Sequence, residues 1–240
     1  MSKVERAIIM AAGFGSRMEP VTNEIPKPLV KVNGRAMIES IIQALKENGI
    51  DEIYIVVGYK KDKFAFLEKK YPGLKLIENP WYAHSNNISS IYAARDHLEN
   101  CVICEGDLLI DNPKILSLPI EGSGYASLYV DHPTHEWVFA ENNHHITGCS
   151  KTGAPSGWQF YGISRWSEED GKQLKKDLET EFEERKNTNI FWDEVALFCH
   201  PEHYDLRLYP LQEGDLREID SLDELIALDP SYTHLKDSQK

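Results

Sequence analysis

The chain has 240 residues, 41% hydrophobic and 27% charged, with a formal net charge of −13. That length supports a full α/β core without disulfide or metal staples, while the acidic balance argues against nucleic acid as a partner. No apolar run approaches the roughly 18 residues of a membrane span, and Ala7–Ala12 is too short for a signal-peptide core, so the expected location is cytoplasmic without membrane insertion.

Taken in chain order, the apolar run at Arg6–Met10 reads as a buried strand. A small-residue loop follows it. Met37, Ile38, Ile41, Ile42 and Leu45 have helical spacing over Met37–Asn48, and Gly49 marks the stop. The β-branched run Glu52–Val57 predicts a second buried strand ending at Gly58. Lys61–Tyr71 reads as an amphipathic helix, Leu74–Glu78 as a third strand, Ile88–Leu98 as a helix, and Cys101–Cys104 as a fourth strand ending in Glu105-Gly106-Asp107. Cys101 and Cys104 have C-x-x-C spacing, but strand alternation sends them to opposite faces. No second pair follows, so free buried thiols in a reducing compartment are expected.

Strand–helix alternation over the first 110 residues implies a parallel, Rossmann-like sheet with helices on both faces. Ligands of such sheets sit beyond the carboxyl ends of the strands, where the first loop, Gly58, Asn79 and Asp107 all fall. The second half changes character, toward a smaller α+β portion. Strands are expected at Gly124–Val130, Trp137–Ala140, His145–Thr147, Trp158–Ser164, Leu206–Pro210 and Arg217–Ile219. Helices are expected at Glu168–Lys186 and Ser221–Leu228, the latter with Ser221 and Glu224 in capping-box spacing. Residues Asp229–Lys240 read as a polar, frayed tail. No linker divides the chain, so it is read as one domain, with a nucleotide-binding half over about residues 1–110 and an acceptor and metal half over about 111–230.

The loop after the first strand is Ala11-Ala12-Gly13-Phe14-Gly15-Ser16-Arg17. Met18 stands where a third glycine of a dinucleotide fingerprint would be. What remains is a backbone that a ligand can approach closely, one guanidinium, and, ten residues on, Pro26-Lys27-Pro28-Leu29. The two prolines are expected to hold Lys27 extended. Backbone N–H groups, Arg17 and Lys27 together could hold a triphosphate and stabilise charge at a reacting phosphorus.

This combination resembles the sugar-nucleotide pyrophosphorylase-like nucleotidyltransferases. The resemblance implies a nucleoside triphosphate over Ala11, Ala12, Gly13, Gly15, Ser16, Arg17, Lys27 and Gly58, with Lys27, Arg17 and Asp107 as the catalytic groups. It also implies a magnesium ion held by Asp107 and Asp220. Spacing alone agrees in part: Asp107 ends a strand at the ligand edge, Glu105 lies two residues earlier and shares its face, and hard carboxylates suit Mg²⁺. Asp220 precedes a helix and could equally serve as its N-cap.

Ser85-Asn86-Asn87-Ile88-Ser89, Glu136-Trp137 and Phe191-Trp192-Asp193-Glu194 look like segments of the bacterial CTP:phosphocholine cytidylyltransferases within that family. The likeness implies CTP near Asn86, Asn87, Ser89 and Glu105. It implies a phosphocholine site built on Glu136, Trp137, Tyr161, Trp192 and Asp193, in which the Trp137 and Trp192 rings would surround a quaternary ammonium. Transfer would then proceed by in-line attack without a covalent intermediate. A primary-amine acceptor (2-aminoethylphosphonate or phosphoethanolamine), a sugar 1-phosphate, a non-catalytic nucleotide sensor and a homodimer remain open from sequence.

Overall fold

In the computed structural model, which describes residues 2–117 and 119–239, the first four expected strands form β1 (Arg6–Ala11), β2 (Glu52–Val57), β3 (Leu74–Glu78) and β4 (Cys101–Glu105). They run parallel in the spatial order β3-β2-β1-β4. The chain therefore winds outward from β1 through β2 to β3 and then crosses to the other side of β1. That reversal, between β1 and β4, is where an open α/β sheet leaves a crevice beyond its strand ends.

Alternation along the strands builds two cores. Ala7, Ile9, Ile53, Ile55, Val102 and Cys104 pack on one face against Ile38, Ile41 and Leu45 of helix α1 (Met37–Glu47). Ile8, Val56, Cys101 and Ile103 pack on the other against Ile88 and Ile91 of α3 (Ile88–Ala93) and Leu174 and Leu178 of α4 (Glu168–Glu179). Between them, α2 is shorter than expected, with a 3₁₀ turn at Lys61–Phe64 leading into an α-helical Ala65–Lys70. The two cysteines lie on opposite faces and are free.

Strand β5 (Leu108–Ile110) follows β4, and then come β6 (Gly124–Val130), β7 (Val138–Asn142), β8 (His145–Ser150), β9 (Gly157–Trp166), β10 (Arg207–Leu211) and β11 (Leu216–Glu218). β9 joins the parallel half by pairing antiparallel with β4, and β6, β7, β8 and β10 extend from it into a nine-stranded sheet. The sheet is therefore mixed, parallel in the first half and largely antiparallel in the second. The expected helix Glu168–Lys186 is α-helical to Glu179 and then widens into a π-helical stretch at Thr180–Glu184.

Helix α5 (Leu222–Leu228) begins with the expected capping box. The tail differs from expectation. Pro230–Gln239 is a run of 3₁₀ turns, Tyr232 and Leu235 pack on a third apolar cluster, and the Tyr232 hydroxyl donates to the Lys31 carbonyl at 2.9 Å. Lys240 lies outside the described residues. No helix among the described residues is long and apolar enough to cross a membrane.

Candidate active site

A cleft of about 820 Å³ opens beyond β1 and β4. Ala11, Ala12, Gly13, Gly15, Ser16, Arg17, Lys27, Asn87, Glu105, Asp107 and Asp220 line it, together with Gly106 and Ser90. Two glycines shape it. Gly15 has φ +65°, and a Cβ there would meet Lys27 Cβ at 2.8 Å, so this position sets how closely the loop lies on Lys27. A Cβ at Gly106 would meet the Met10 carbonyl oxygen at 2.5 Å, which fixes the approach of the β4 end to the β1 end.

Lys27 is not extended as its flanking prolines suggest. Pro26 is extended, but the chain turns at Lys27–Leu29 in one 3₁₀ turn, and the Val30 N–H donates to the Lys27 carbonyl at 3.0 Å. The turn aims the side chain inward. Its Nζ donates to Asp107 Oδ2 and to Asp220 Oδ1, each at 2.7 Å. Burial alone would lower the Lys27 pKa; the two carboxylates outweigh it and raise the pKa above the ordinary lysine value. Arg17 reaches the same Asp220 Oδ1 at 2.7 Å from an exposed position.

Two short strands bring those aspartates together. β5 pairs antiparallel with β11, Leu108 opposite Glu218, and the Ile219 N–H donates to the Asp107 carbonyl at 3.3 Å. Asp220 is not the cap of α5. Ser221 takes that role, and the Glu224 carboxylate accepts from the N–H groups of both Asp220 and Ser221, at 2.7 and 2.8 Å.

A second cleft of about 780 Å³ shares Arg17, Glu105 and Asp220 with the first and is lined further by Glu136, Trp137, Phe160, Gly162, Phe191, Asp193 and Glu218. The sequence reading missed Glu218. It lies two residues before Asp220 on an alternating segment, which was the available signal. Carboxylate oxygens of Glu105, Asp107 and Glu218 lie within 4.8 Å of one another, and Asp107 Oδ1 is buried without a hydrogen-bond partner. Desolvation, then the Asp107 charge, push the carboxyls of Glu105 and Glu218 well above the usual range. Asp193 is 3% exposed, its Oδ1 has no partner, and desolvation pushes its carboxyl up as well.

Several expected site residues sit elsewhere. The Trp192 ring is 2% exposed and packs in the core against Trp166, Tyr125 and their neighbours, at centroid distances of 5.9 and 6.2 Å. It is the adjacent Phe191 that faces the second cleft, edge-on to Trp137 at 5.7 Å. Ser89 is fully buried, donating to the Asn86 carbonyl and accepting from Asn79, and Ser90 faces the first cleft in its place. Asn86 braces the loop at Thr188 and Asn189. Gly58 packs beneath the Tyr82 ring rather than lining the cleft. Tyr161 borders a separate surface groove with Glu136 and Glu218. Asn87 both lines the first cleft and accepts at Oδ1 from the Trp192 N–H at 2.8 Å, tying the two halves together.

The MobA-like NTP transferase domain model matches residues 7–141. The chain is 40% identical to a 2-aminoethylphosphonate cytidylyltransferase of Lancefieldella rimae, over 95% of this chain and 94% of the relative. It is 30% identical to a choline-phosphate cytidylyltransferase of Streptococcus pneumoniae, over 91% and 94%. The solved CTP:phosphocholine cytidylyltransferase of Streptococcus pneumoniae superposes with a TM-score of 0.84 at 28% identity, covering 98% of this chain and 99% of that one. With a loop, a lysine turn and an acidic pair gathered at the switch point of this sheet, the chain belongs to the MobA-like NTP transferase family of nucleotidyltransferases, with cytidylyltransferases among its full-length relatives.

Proposed function

We propose that this enzyme transfers the cytidylyl group of CTP to an acceptor that carries a phosphonate or phosphate at one end and a primary ammonium at the other, with 2-aminoethylphosphonate as the acceptor. The observation that carries this reading is Asp193, a buried carboxyl in the lining of the second cleft with one oxygen that has no hydrogen-bond partner, set among Glu105, Glu218 and Glu136. A compact ammonium with three N–H donors satisfies such oxygens; a trimethylammonium has none to offer. The full-length similarity to a 2-aminoethylphosphonate cytidylyltransferase supports the same choice. A choline cage built on Trp137 and Trp192 loses its second wall, because Trp192 faces the core. The Trp137 face is also approached by Lys151 Nζ, 5.9 Å from the ring centroid and ion-paired to Glu194 at 2.6 Å.

Phosphocholine is the second reading. Trp137 and Phe191 still present two aromatic rings to the second cleft, and choline-phosphate relatives match along most of the chain.

In the reaction, a phosphonate oxygen of the acceptor attacks the α-phosphorus of CTP in line with the departing pyrophosphate. One P–O bond forms and one breaks. The nucleophile is already anionic, so no general base is required. The loop at Ala11–Arg17 cradles the nucleotide through its backbone N–H groups, and Lys27 and Arg17 offset charge building on the transferred phosphoryl group.

Two cations, Lys27 and Arg17, face six carboxylates across the two clefts: Glu105, Asp107, Glu136, Asp193, Glu218 and Asp220. A triphosphate added to that surface needs further positive charge. The unpartnered Asp107 Oδ1 and the Glu105–Asp107–Glu218 cluster fit a hard divalent cation. Asp107 and Asp220 would hold Mg²⁺ with Glu105 and Glu218 at its edge, and the ion would supply charge neutralisation at the phosphate oxygens.

The test is pyrophosphate release with CTP against 2-aminoethylphosphonate, phosphoethanolamine and phosphocholine, for the wild type and Asp193→Asn. The amine reading expects 2-aminoethylphosphonate to have the highest kcat/KM, and Asp193→Asn to raise its KM by about tenfold or more, the cost of one charge-assisted hydrogen bond. Faster turnover of phosphocholine, with Asp193→Asn neutral, would overturn it.

A further inference from the structure

We propose that Asp177, His200 and His203 form a second metal site, for a divalent transition metal of the zinc class, distinct from the all-carboxylate cluster of the cleft. One ligand atom from each of the three lies within 4.8 Å of the others. Asp177 sits in the last turn of α4; His200 and His203 come from the turn that follows the π-helical segment Val195–Cys199.

The hydrogen bonds around His200 fix its chemistry. Its Nε2 lies 2.9 Å from Glu181 Oε1, and Glu181 is itself buried and held by Arg185 at 2.6 Å and Asn187 at 2.9 Å. A carboxylate only accepts, so the neutral ring carries its proton on Nε2. Its Nδ1 lone pair then faces Asp177 Oδ1 at 3.9 Å. Two lone pairs at that separation repel each other across a gap too long for a hydrogen bond. A cation about 2.0–2.2 Å from each ligand atom bridges it. A carboxylate that orients the far nitrogen of an imidazole is the usual outer support of a histidine metal ligand.

The remaining geometry agrees. His203 Nδ1 donates to Asp177 Oδ2 at 2.9 Å, a proton that a bound ion would replace, and its ring stacks on His200 at 5.2 Å and 16°, so both rings present an edge to the same carboxylate. Gln173 Nε2 and the Tyr204 hydroxyl donate to Asp177 at 3.0 and 2.5 Å and fix it in place. Asp177 and His200 are buried, whereas His203 is exposed and gives the ion a path from solvent. Two imidazoles and one carboxylate favour zinc-like ions over Mg²⁺ and leave a position for water. An ion here would clamp α4 to the segment that begins at Asp193.

The test titrates Zn²⁺ calorimetrically into the full-length protein after chelator treatment, with excess Mg²⁺ present to fill the carboxylate cluster. One Zn²⁺ per chain is expected to bind, about tenfold or more weaker in His203→Gln. That variant keeps a donor toward Asp177 but no imidazole. Co²⁺ used in place of Zn²⁺ should give the visible bands of a four-coordinate ion in the wild type and lose them in His203→Gln. As a readout that needs no variant, Co²⁺ should broaden the ring-proton resonances of both His200 and His203 in the wild type. No zinc binding, binding unchanged in His203→Gln, or broadening confined to other nuclei would each overturn the proposal and leave the cluster as a hydrogen-bonded brace.

Discussion

The ammonium of Lys27 is shared by two carboxylates that enter from positions 107 and 220, each at 2.7 Å. Because its pKa is raised, the stabilisation it supplies is fully present below the ordinary lysine value of 10.5 and is lost only as pH rises through the raised value. Near neutral pH the group is a fixed positive charge, which suits the charge stabilisation proposed for it and not proton transfer. Lys27→Met keeps the length of the side chain and removes the charge. Its kcat in steady-state pyrophosphate release should fall by about 10²-fold or more, the effect of deleting one preorganised transition-state donor, while far-UV circular dichroism stays native. A kcat near wild type would remove Lys27 from the reaction. Lys27 and Asp107 lie in the cleft where a glycine loop, a Pro-Lys-Pro segment and a strand-end acid pointed, because each is tied to a local backbone signal, whereas Asp220 rested on the family resemblance and by local pattern read equally as a helix cap. Trp192 and Phe191 were not legible. They lie in an irregular segment where neither a period of two nor one of 3.6 tells inside from outside, so the ring beside a carboxylate in a phosphocholine-like segment was assigned to the cleft, and the structure buries it.

Among the elements, the legible strands are those whose length and apolar content stand alone. Glu52–Val57, Leu74–Glu78 and Gly124–Val130 have the same bounds in sequence and structure. The pairing of β5 with β11 was not legible, because three-residue strands carry too little pattern and their partner lies a hundred residues away. Yet that pairing sets Asp220 beside Asp107. The capping box of α5 finishes the task, since Glu224 accepts from the Asp220 peptide as well as from Ser221. Ser221→Ala removes the side-chain cap and is expected to lower stability by about 1 kcal/mol. Because the same turn orients Asp220, kcat should fall together with the thermal midpoint. A lowered midpoint with unchanged kcat would show that β11 alone holds the aspartate.

At the scale of the whole molecule, one sheet separates two cores, and the C-x-x-C pair reports on both. Cys104 belongs to the core with α1, Cys101 to the core with α3 and α4. Burial pushes the Cys104 thiol up to about 12 and raises that of Cys101 as well. Alkylation read by mass spectrometry along a denaturant series should therefore modify both thiols only with global unfolding, and at the same denaturant concentration. Labelling of one well before the other would mean that the two faces open separately. The two clefts on this sheet are less independent than its two cores. Arg17, Glu105 and Asp220 line both of them, so the partition between them includes charged side chains that the two share. A ligand that alters the field on one side of that partition alters it on the other, and occupancy of either chamber is thermodynamically linked to occupancy of its neighbour. With that boundary shared, the two clefts form one electrostatic unit for the ligands proposed above, and a changed charge in the partition should shift the affinities for both together.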